Sequence, residues 1–600
     1  MGKNNKAAEL RKRKQEKEEN GTGHVTDDDN KKTKADTPSR RGSGTRHAGN
    51  PTDTLFYVAG AFLLGAILMA FLNGPKQTVN LPTETSPKPV ENTNNVLENT
   101  DKIKQPEKEA KSFLPPEPEK ANQENVIEQD FNRPWYHYPR VTDKSTKISR
   151  KSEEIHPDKV DSIQESDTPG GWKSADRETR QTLSTSSCLI DRHYVDDVTP
   201  QLFKDNFRYK NPLIIRFRSG ASGWINTQEW SKRNLLEKYS GWTVRSGTSL
   251  DIVRNGGVGD NETSFYEFLS NMAGQKDEEP RQVYDRDFYR ESHLDQTVNP
   301  PAFLSDIGDD VTFSVGTSRS GVAFHTETDG WSGLVFGRQR WFLYPPQHTP
   351  PGGFWPGYSV IDWFTDVYPK LKDKTKPMEC VLEEGEILYL PEGYYHSVLN
   401  IGETVSIKTK RKDASTNLGR WFFEGNRNDD RLVDPQYKSK EQAREGQVHV
   451  FKKLHELLPE NAEVMLRYSQ ALADVDRTKE AKQLNQRVIE ADPFFVQAYL
   501  SLAQMYTELG FLGQAEILFK AAIRMNTKCW DAYAQYGDFL LNRAGKGKDA
   551  AKIYQKGVEA RPDMKAFYLR LLQAQQRARQ TGAVKETTKL IQERFGDQIL

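Results

Sequence analysis

Six hundred residues exceed what one hydrophobic core organises, so the chain divides into several domains. Lys plus Arg and Asp plus Glu number 85 each, so the net charge is zero and no nucleic-acid partner is expected. The mean hydropathy of -0.80 excludes a wholly globular chain and assigns much of its length to disordered segments.

Residues 1–54 form a polar tail, expected to be disordered and cytosolic, with a basic run from Arg11 to Lys14 and an acidic one from Asp27 to Asp29. The basic run fits a nuclear signal or a solvated mixed-charge tail, the commoner meaning of such runs. From Leu55 to Leu72 the chain is nearly all apolar. That length is at the short end of what crosses a bilayer core of about 30 Å. The run starts too far along the chain for an ordinary secretory signal. A buried core helix is the alternative, but polar, Gly-rich and Pro-rich flanks favour a transmembrane signal-anchor over 55–73. Arg40, Arg41 and Arg46 precede it and only Lys76 and Lys88 follow nearby, which favours a cytosolic N-terminus. The expectation is a single-pass type II membrane protein of the ER or Golgi, with everything after residue 73 in the lumen.

Residues 74–185 are dominated by Pro, Glu, Lys, Asn and Thr and read as a disordered linker. Within it, "FNRPWYHYPR" (131–140) is an aromatic island that either docks on a folded domain or has no consequence.

Residues 186–425 change character. "PLIIRFR", "VTFSVG", "GLVFG", "RWFLYPP", "EILYLP" and "TVSIKTK" are short β-branched or aromatic runs bounded by turns. Helices are expected around 225–240, 263–272 and 360–372. Many short strands with few long helices predict a double-sheet barrel or jelly roll. His325 and Glu327 are two apart on a predicted strand and so share a face. His396 follows the strand "ILYLP", which can lie across from the first inside the barrel mouth. Two imidazoles and a carboxylate suit a ferrous ion held on one face, with positions left for a co-substrate and dioxygen. A bare HxE is a weak signal, and a lone strand histidine is usually a satisfied structural residue. Cys188 and Cys380 also fall here, and a lumenal setting would let them pair. Asn261-Glu262-Thr263 is a glycosylation acceptor; Asn20-Gly21-Thr22 is a second, expected to be unused on the cytosolic side.

After about residue 450 the chain repeats. Ala481, Ala515 and Ala550 recur at spacings of 34 and 35, and Pro493 follows Pro459 by 34. Phe519 and Tyr554 sit four residues after the later alanines. This is the tetratricopeptide pattern of paired helices, with small Ala permitting close approach and the aromatic filling the groove. Asn485 stands where an aromatic is usual, and 564–595 could cap the solenoid. An all-α solenoid over 450–600 is expected to bind a protein substrate or partner.

The blocks "GTSRSGVAFHTETDGWSGLVFGRQRWFLYPP" and "GEILYLPEGYYHSVLNIGETVSI" resemble the two signature blocks of JmjC-domain, cupin-like oxygenases. They are most similar to the small lumenal jumonji-domain-containing protein 8 branch. The likeness runs over roughly 186–411, with Cys188 and Cys380 in matching settings, and covers neither the span nor the repeats. It implies an Fe(II)- and 2-oxoglutarate-dependent hydroxylase or demethylase in a double-stranded β-helix. His325, Glu327 and His396 would then be the iron ligands. The family usually has Lys two residues after the Gly of "GxKRW", paired with the distal carboxylate of 2-oxoglutarate. Gln339 takes that position here and can offer only a neutral hydrogen bond, about half as strong. Arg338 and Arg340 flank it but alternate to the other face. Lys408 and Lys410, on the last predicted strand, could supply the missing cation or be ordinary edge-strand lysines.

Three readings follow: a membrane-anchored dioxygenase hydroxylating a lumenal protein, a non-catalytic cupin-like scaffold whose repeats do the work, and a nuclear histone demethylase. The membrane segment and the cysteine pair argue against the last. Gln339 favours the second.

Overall fold

A computed structural model describes residues 150–596, apart from 151, 164, 273, 276–279, 354–356 and 427–438. The expected tail, the 55–73 span, the aromatic island and most of the linker lie outside the described residues. Among the described residues no helix is long and apolar enough to cross a membrane.

Among the described residues, eleven strands form the central domain: β1 (Asp191–Tyr194), β2 (Leu213–Arg216), β3 (Thr243–Gly247), β4 (Asn261–Ser264), β5 (Gln282–Asp285), β6 (Asp310–Gly316), β7 (Gly321–His325), β8 (Gly330–Tyr344), β9 (Met378–Leu382), β10 (Ile387–Leu390) and β11 (Tyr395–Lys410). They run in the order β1-β2-β10-β8-β11-β6-β5-β3-β4, with β7 on β11 and β9 on β8. β1 and β2 are parallel; β8 and β11 pair antiparallel along most of their length.

β8 has 15 residues and β11 has 16, more than twice the usual strand. Each serves two sets of neighbours. The first half of β8 pairs with β10 (Ser332 opposite Leu388), the second with β9 (Gln339 opposite Leu382). The first half of β11 pairs with β7 and the second with β6 (Ser406 opposite Ser314). Between the halves the β8–β11 register shifts, from Ile401 to Val405. Gly337 (φ 88°) and Gly402 (φ 85°) make that corner. A Cβ on Gly337 would lie 2.4 Å from the Glu403 carbonyl oxygen, so only glycine fits. The bend turns one long ladder into two facing layers, the expected jelly roll.

The helices expected around 225–240 and 263–272 appear as Lys232–Tyr239, after a 3-10 turn at Thr227–Trp230, and as Phe265–Met272. The stretch 360–372 instead alternates a short α turn, a π turn and a 3-10 turn. Ordered structure also begins earlier than 186. Helix Arg177–Leu183 is capped by Asp176, and Trp172 is buried with its indole N–H donating to the Trp230 carbonyl at 3.1 Å. Arg150 pairs with buried Asp285 at 2.8 Å. Composition pointed to linker here because the apolar anchors are few and widely spaced.

Helices fill the C-terminal region from Lys440–Leu457 through Thr581–Phe595, beginning before the expected start at 450. Ala481, Ala515 and Ala550 are fully buried, and Phe519 and Tyr554 are buried with them. Asn485 is buried too, donating to Ser469 Oγ (2.8 Å) and Ser501 Oγ (2.9 Å). A hydrogen-bonded pin thus replaces the aromatic of the other repeats.

Strand alternation joins the two regions. Leu334, Trp341, Leu343 and Val398 belong to the buried cluster that also holds Leu388, Leu390 and Tyr284. Phe342, Tyr344, Tyr395, Leu399 and Ile401 face the other way and share a cluster with Val496, Leu500, Phe519 and Trp530 of the helices. Polar contacts seal the seam: Asn461 to the Pro346 carbonyl (2.7 Å), the Gly352 amide to Asp492 (2.8 Å) and Lys528 to Asp362 (2.7 Å).

Candidate metal centre

His325 is the last residue of β7, and His396, the second residue of β11, is its register partner. Glu327 was expected on the same strand; it lies just beyond, because β7 ends at His325. The turn still returns its carboxylate to the histidines: Oε1 is 3.7 Å from His325 Nε2 and Oε2 is 3.7 Å from His396 Nε2. One ligand atom from each of the three residues lies within 4.8 Å of the others, forming a possible metal site.

The imidazoles are aimed by main-chain acceptors that sequence could not reveal. Nδ1 of His325 lies 2.8 Å from the Ala323 carbonyl, and Nδ1 of His396 lies 3.0 Å from the Tyr394 carbonyl. Each Nδ1–H donating to a carbonyl two residues back leaves Nε2 as an acceptor facing the space between the three residues.

Lys408 enters this cluster. Its Nζ is 2.6 Å from Glu327 Oε2, 2.9 Å from His396 Nε2 and 3.0 Å from His325 Nε2. Lys410 Nζ approaches Glu327 Oε1 at 3.1 Å and Asp310 at 3.6 Å. Neither is an edge-strand lysine, because this part of β11 lies between β8 and β6. Burial pushes His325 well below its ordinary pKa and lowers His396 too, with the Lys408 charge adding to both. Burial alone would raise the Glu327 carboxyl, but Lys408 and Lys410 outweigh it and hold it well below the carboxylate range. Lys408 is itself lowered by burial, against the pull of Glu327. These shifts favour neutral imidazoles beside an ionised Glu327 carboxylate.

Gln339 lies two rungs along the ladder, with Val398–Trp341 between it and His396. Its Nε2 donates to Asn400 Oδ1 at 3.0 Å, and Asn400 donates to Gln282 and Ser320. This is a neutral amide and hydroxyl network. Gln339 Oε1 and Trp341 Nε1 are buried without a hydrogen-bond partner among the described residues. Such orphans are costly, and a polar ligand reaching them would satisfy them. Arg338 and Arg340 face away as alternation requires, paired with Glu383 and Glu379. The donor set therefore fits a ferrous ion, provided Lys408 moves, and the two orphaned groups suit a polar co-substrate.

Cys188 and Cys380 form a disulfide spanning 192 residues. Asn261 is exposed at the start of edge strand β4.

The bent double sheet and its inward triad define a JmjC-type, cupin-like domain, and the cupin-like domain family matches residues 200–427. JmjC domain-containing protein 8 of Homo sapiens is 37% identical over 247 residues, covering 40% of this chain and 89% of its own length. The chain belongs to that family. The bifunctional arginine demethylase and lysyl-hydroxylase psr-1 of Caenorhabditis elegans is 24% identical over 274 residues, 40% of this chain and 64% of its own. The 2-oxoglutarate and iron-dependent oxygenase JMJD4 of Gallus gallus is 34% identical over 118 residues, 18% of this chain and 28% of its own.

Proposed function

We propose that the protein is an Fe(II)- and 2-oxoglutarate-dependent oxygenase that hydroxylates a protein substrate. The observation carrying this is the convergence of His325, Glu327 and His396 on one point. His325 and His396 would present Nε2, each ring locked through Nδ1, and Glu327 would present its carboxylate. Trp341 Nε1 and Gln339 would orient the co-substrate. When bound, iron and 2-oxoglutarate supply the oxidative chemistry, and the protein's part is to hold and orient them and exclude side reactions. The relatives whose names state demethylase, hydroxylase or iron-dependent oxygenase activity support the same class.

The helical repeats would recruit substrate or a partner through surface not used against the jelly roll. Leu509, Phe511 and Ile517 are exposed there. The location we propose is the ER or Golgi lumen, behind a type II anchor at 55–73. The disulfide suits an oxidising compartment, and the exposed acceptor Asn261 agrees with it. Protease protection of the C-terminal domains in microsomes tests the location; digestion without detergent would overturn it.

Titrating 2-oxoglutarate into the full chain with Fe(II) tests the activity. Saturable binding that is lost in His396→Ala is expected; no binding in either sinks the oxygenase. The second reading, a non-catalytic scaffold, is favoured by Lys408 among the ligands and by the neutral Gln339.

A further inference from the structure

The ammonium of Lys408 has three N–H donors. All three find acceptors in the triad: Glu327 Oε2, His396 Nε2 and His325 Nε2, at 2.6, 2.9 and 3.0 Å. A point at similar distances from all three atoms lies on the axis through the middle of the triangle they form. A divalent ion held by the same three atoms would have to lie on that axis too. Metal–ligand bonds are shorter, roughly 2.0–2.2 Å for nitrogen and oxygen donors. The triad is therefore held open at hydrogen-bond spacing, with 3.7 Å between Glu327 and each imidazole. Ammonium and metal repel each other and compete for the same lone pairs, so the site holds one or the other. Lys410 differs: it pairs with Glu327 and Asp310.

We propose that Lys408 is a gate built into the metal site: its ammonium occupies the point between His325, Glu327 and His396, and a divalent cation enters only when that side chain swings out. This rests on reading the triad as a ligand set. The lysine stem has four flexible carbons and can leave without moving the strand. A gated site binds metal more weakly than its ligands would by themselves, in proportion to the fraction of molecules with the gate open. It also keeps the imidazoles and carboxylate satisfied while metal is absent, so the apo domain stays folded. Availability of metal, or of a substrate that draws Lys408 outward, would then set the active fraction.

The test is Co(II) titration of the detergent-solubilised full chain, read by the visible absorption of the coordinated ion. Lys408→Leu and the polar isostere Lys408→Gln are compared with wild type and with Lys410→Gln, with circular dichroism confirming the fold. If the gate is open in about a tenth of wild-type molecules, both Lys408 variants bind roughly tenfold more tightly, and Lys410→Gln changes affinity less. Equal affinity in wild type and both Lys408 variants overturns the gate while leaving the triad standing. Equal gains from Lys408→Gln and Lys410→Gln also overturn it, reducing the effect to general charge. Weaker binding by the Lys408 variants overturns it by making Lys408 a ligand. Absence of binding in every variant overturns the triad reading and the gate together.

Discussion

Tyr395 and His396 are consecutive residues of β11 that face opposite sides of the sheet. His396 Nε2 points at Glu327 across 3.7 Å, while the Tyr395 hydroxyl donates to Glu463 of the second C-terminal helix at 2.8 Å and accepts from Asn461 at 2.9 Å. One peptide bond therefore links the metal site to the solenoid. The helices brace the strand that carries a candidate ligand.

Tyr395→Phe leaves the buried Glu463 carboxylate without that donor. The expected cost is about 1–3 kcal/mol of stability, with weaker Co(II) binding because His396 is held less firmly. Thermal unfolding with and without metal checks both; unchanged metal affinity would show that the brace does not reach the site.

Gly353 packs against the solenoid through Phe495. A Cβ there would lie 2.1 Å from the Phe495 ring, at a φ of +71° that disfavours side chains. Gly353→Ala is expected to cost about 1–3 kcal/mol by overpacking and to expose the seam to limited proteolysis. A wild-type cleavage pattern would count against that.

Asp492 gives the seam a pH dependence. Burial pushes its carboxyl from 3.8 up to about 6, although the Gly352 and Phe494 amides pull it down. The folded state then binds the proton more tightly than the unfolded chain. Its contribution is fully present below 3.8 and is lost as pH rises through about 6. Stability should fall across that window by up to about 3 kcal/mol, at 1.36 kcal/mol per pH unit. Asp492→Asn should flatten the slope in urea unfolding; an unchanged slope would assign it to another group.

The cysteines should behave oppositely. Replacing Cys188 and Cys380 with Ser should cost about 2–4 kcal/mol, read as a lower unfolding midpoint. Cys529 is buried and free, its thiol pushed up to about 12 by burial. It should resist iodoacetamide in the native protein and react once unfolded; native labelling would contradict its burial.

Gln339 and Lys408 mark the limit of what was legible. Gln339 was recognisable as a departure by its place beside "RW", yet the neutral network around it, Asn400 with its own partners Gln282 and Ser320, comes from three other segments. Lys408 was noted as a cation on the last strand, but its place inside the triad could not be read. Spacing says that it shares a strand with His396, not how far the bend at Gly402 returns it toward the same point.

Local pattern determined the jelly roll and the paired helices, through alternation and period written along the chain. The triad and the two cysteines were picked out by residue chemistry and by resemblance to signature blocks, and only the tertiary structure shows that the cysteines bond. Tertiary structure alone decided that β11 is a central strand, that one of its faces carries the candidate metal site while the other carries the solenoid, and that Lys408 sits among the triad. These are relations between segments scores of residues apart. They arise only when the two longest strands bend and bring their halves into separate layers.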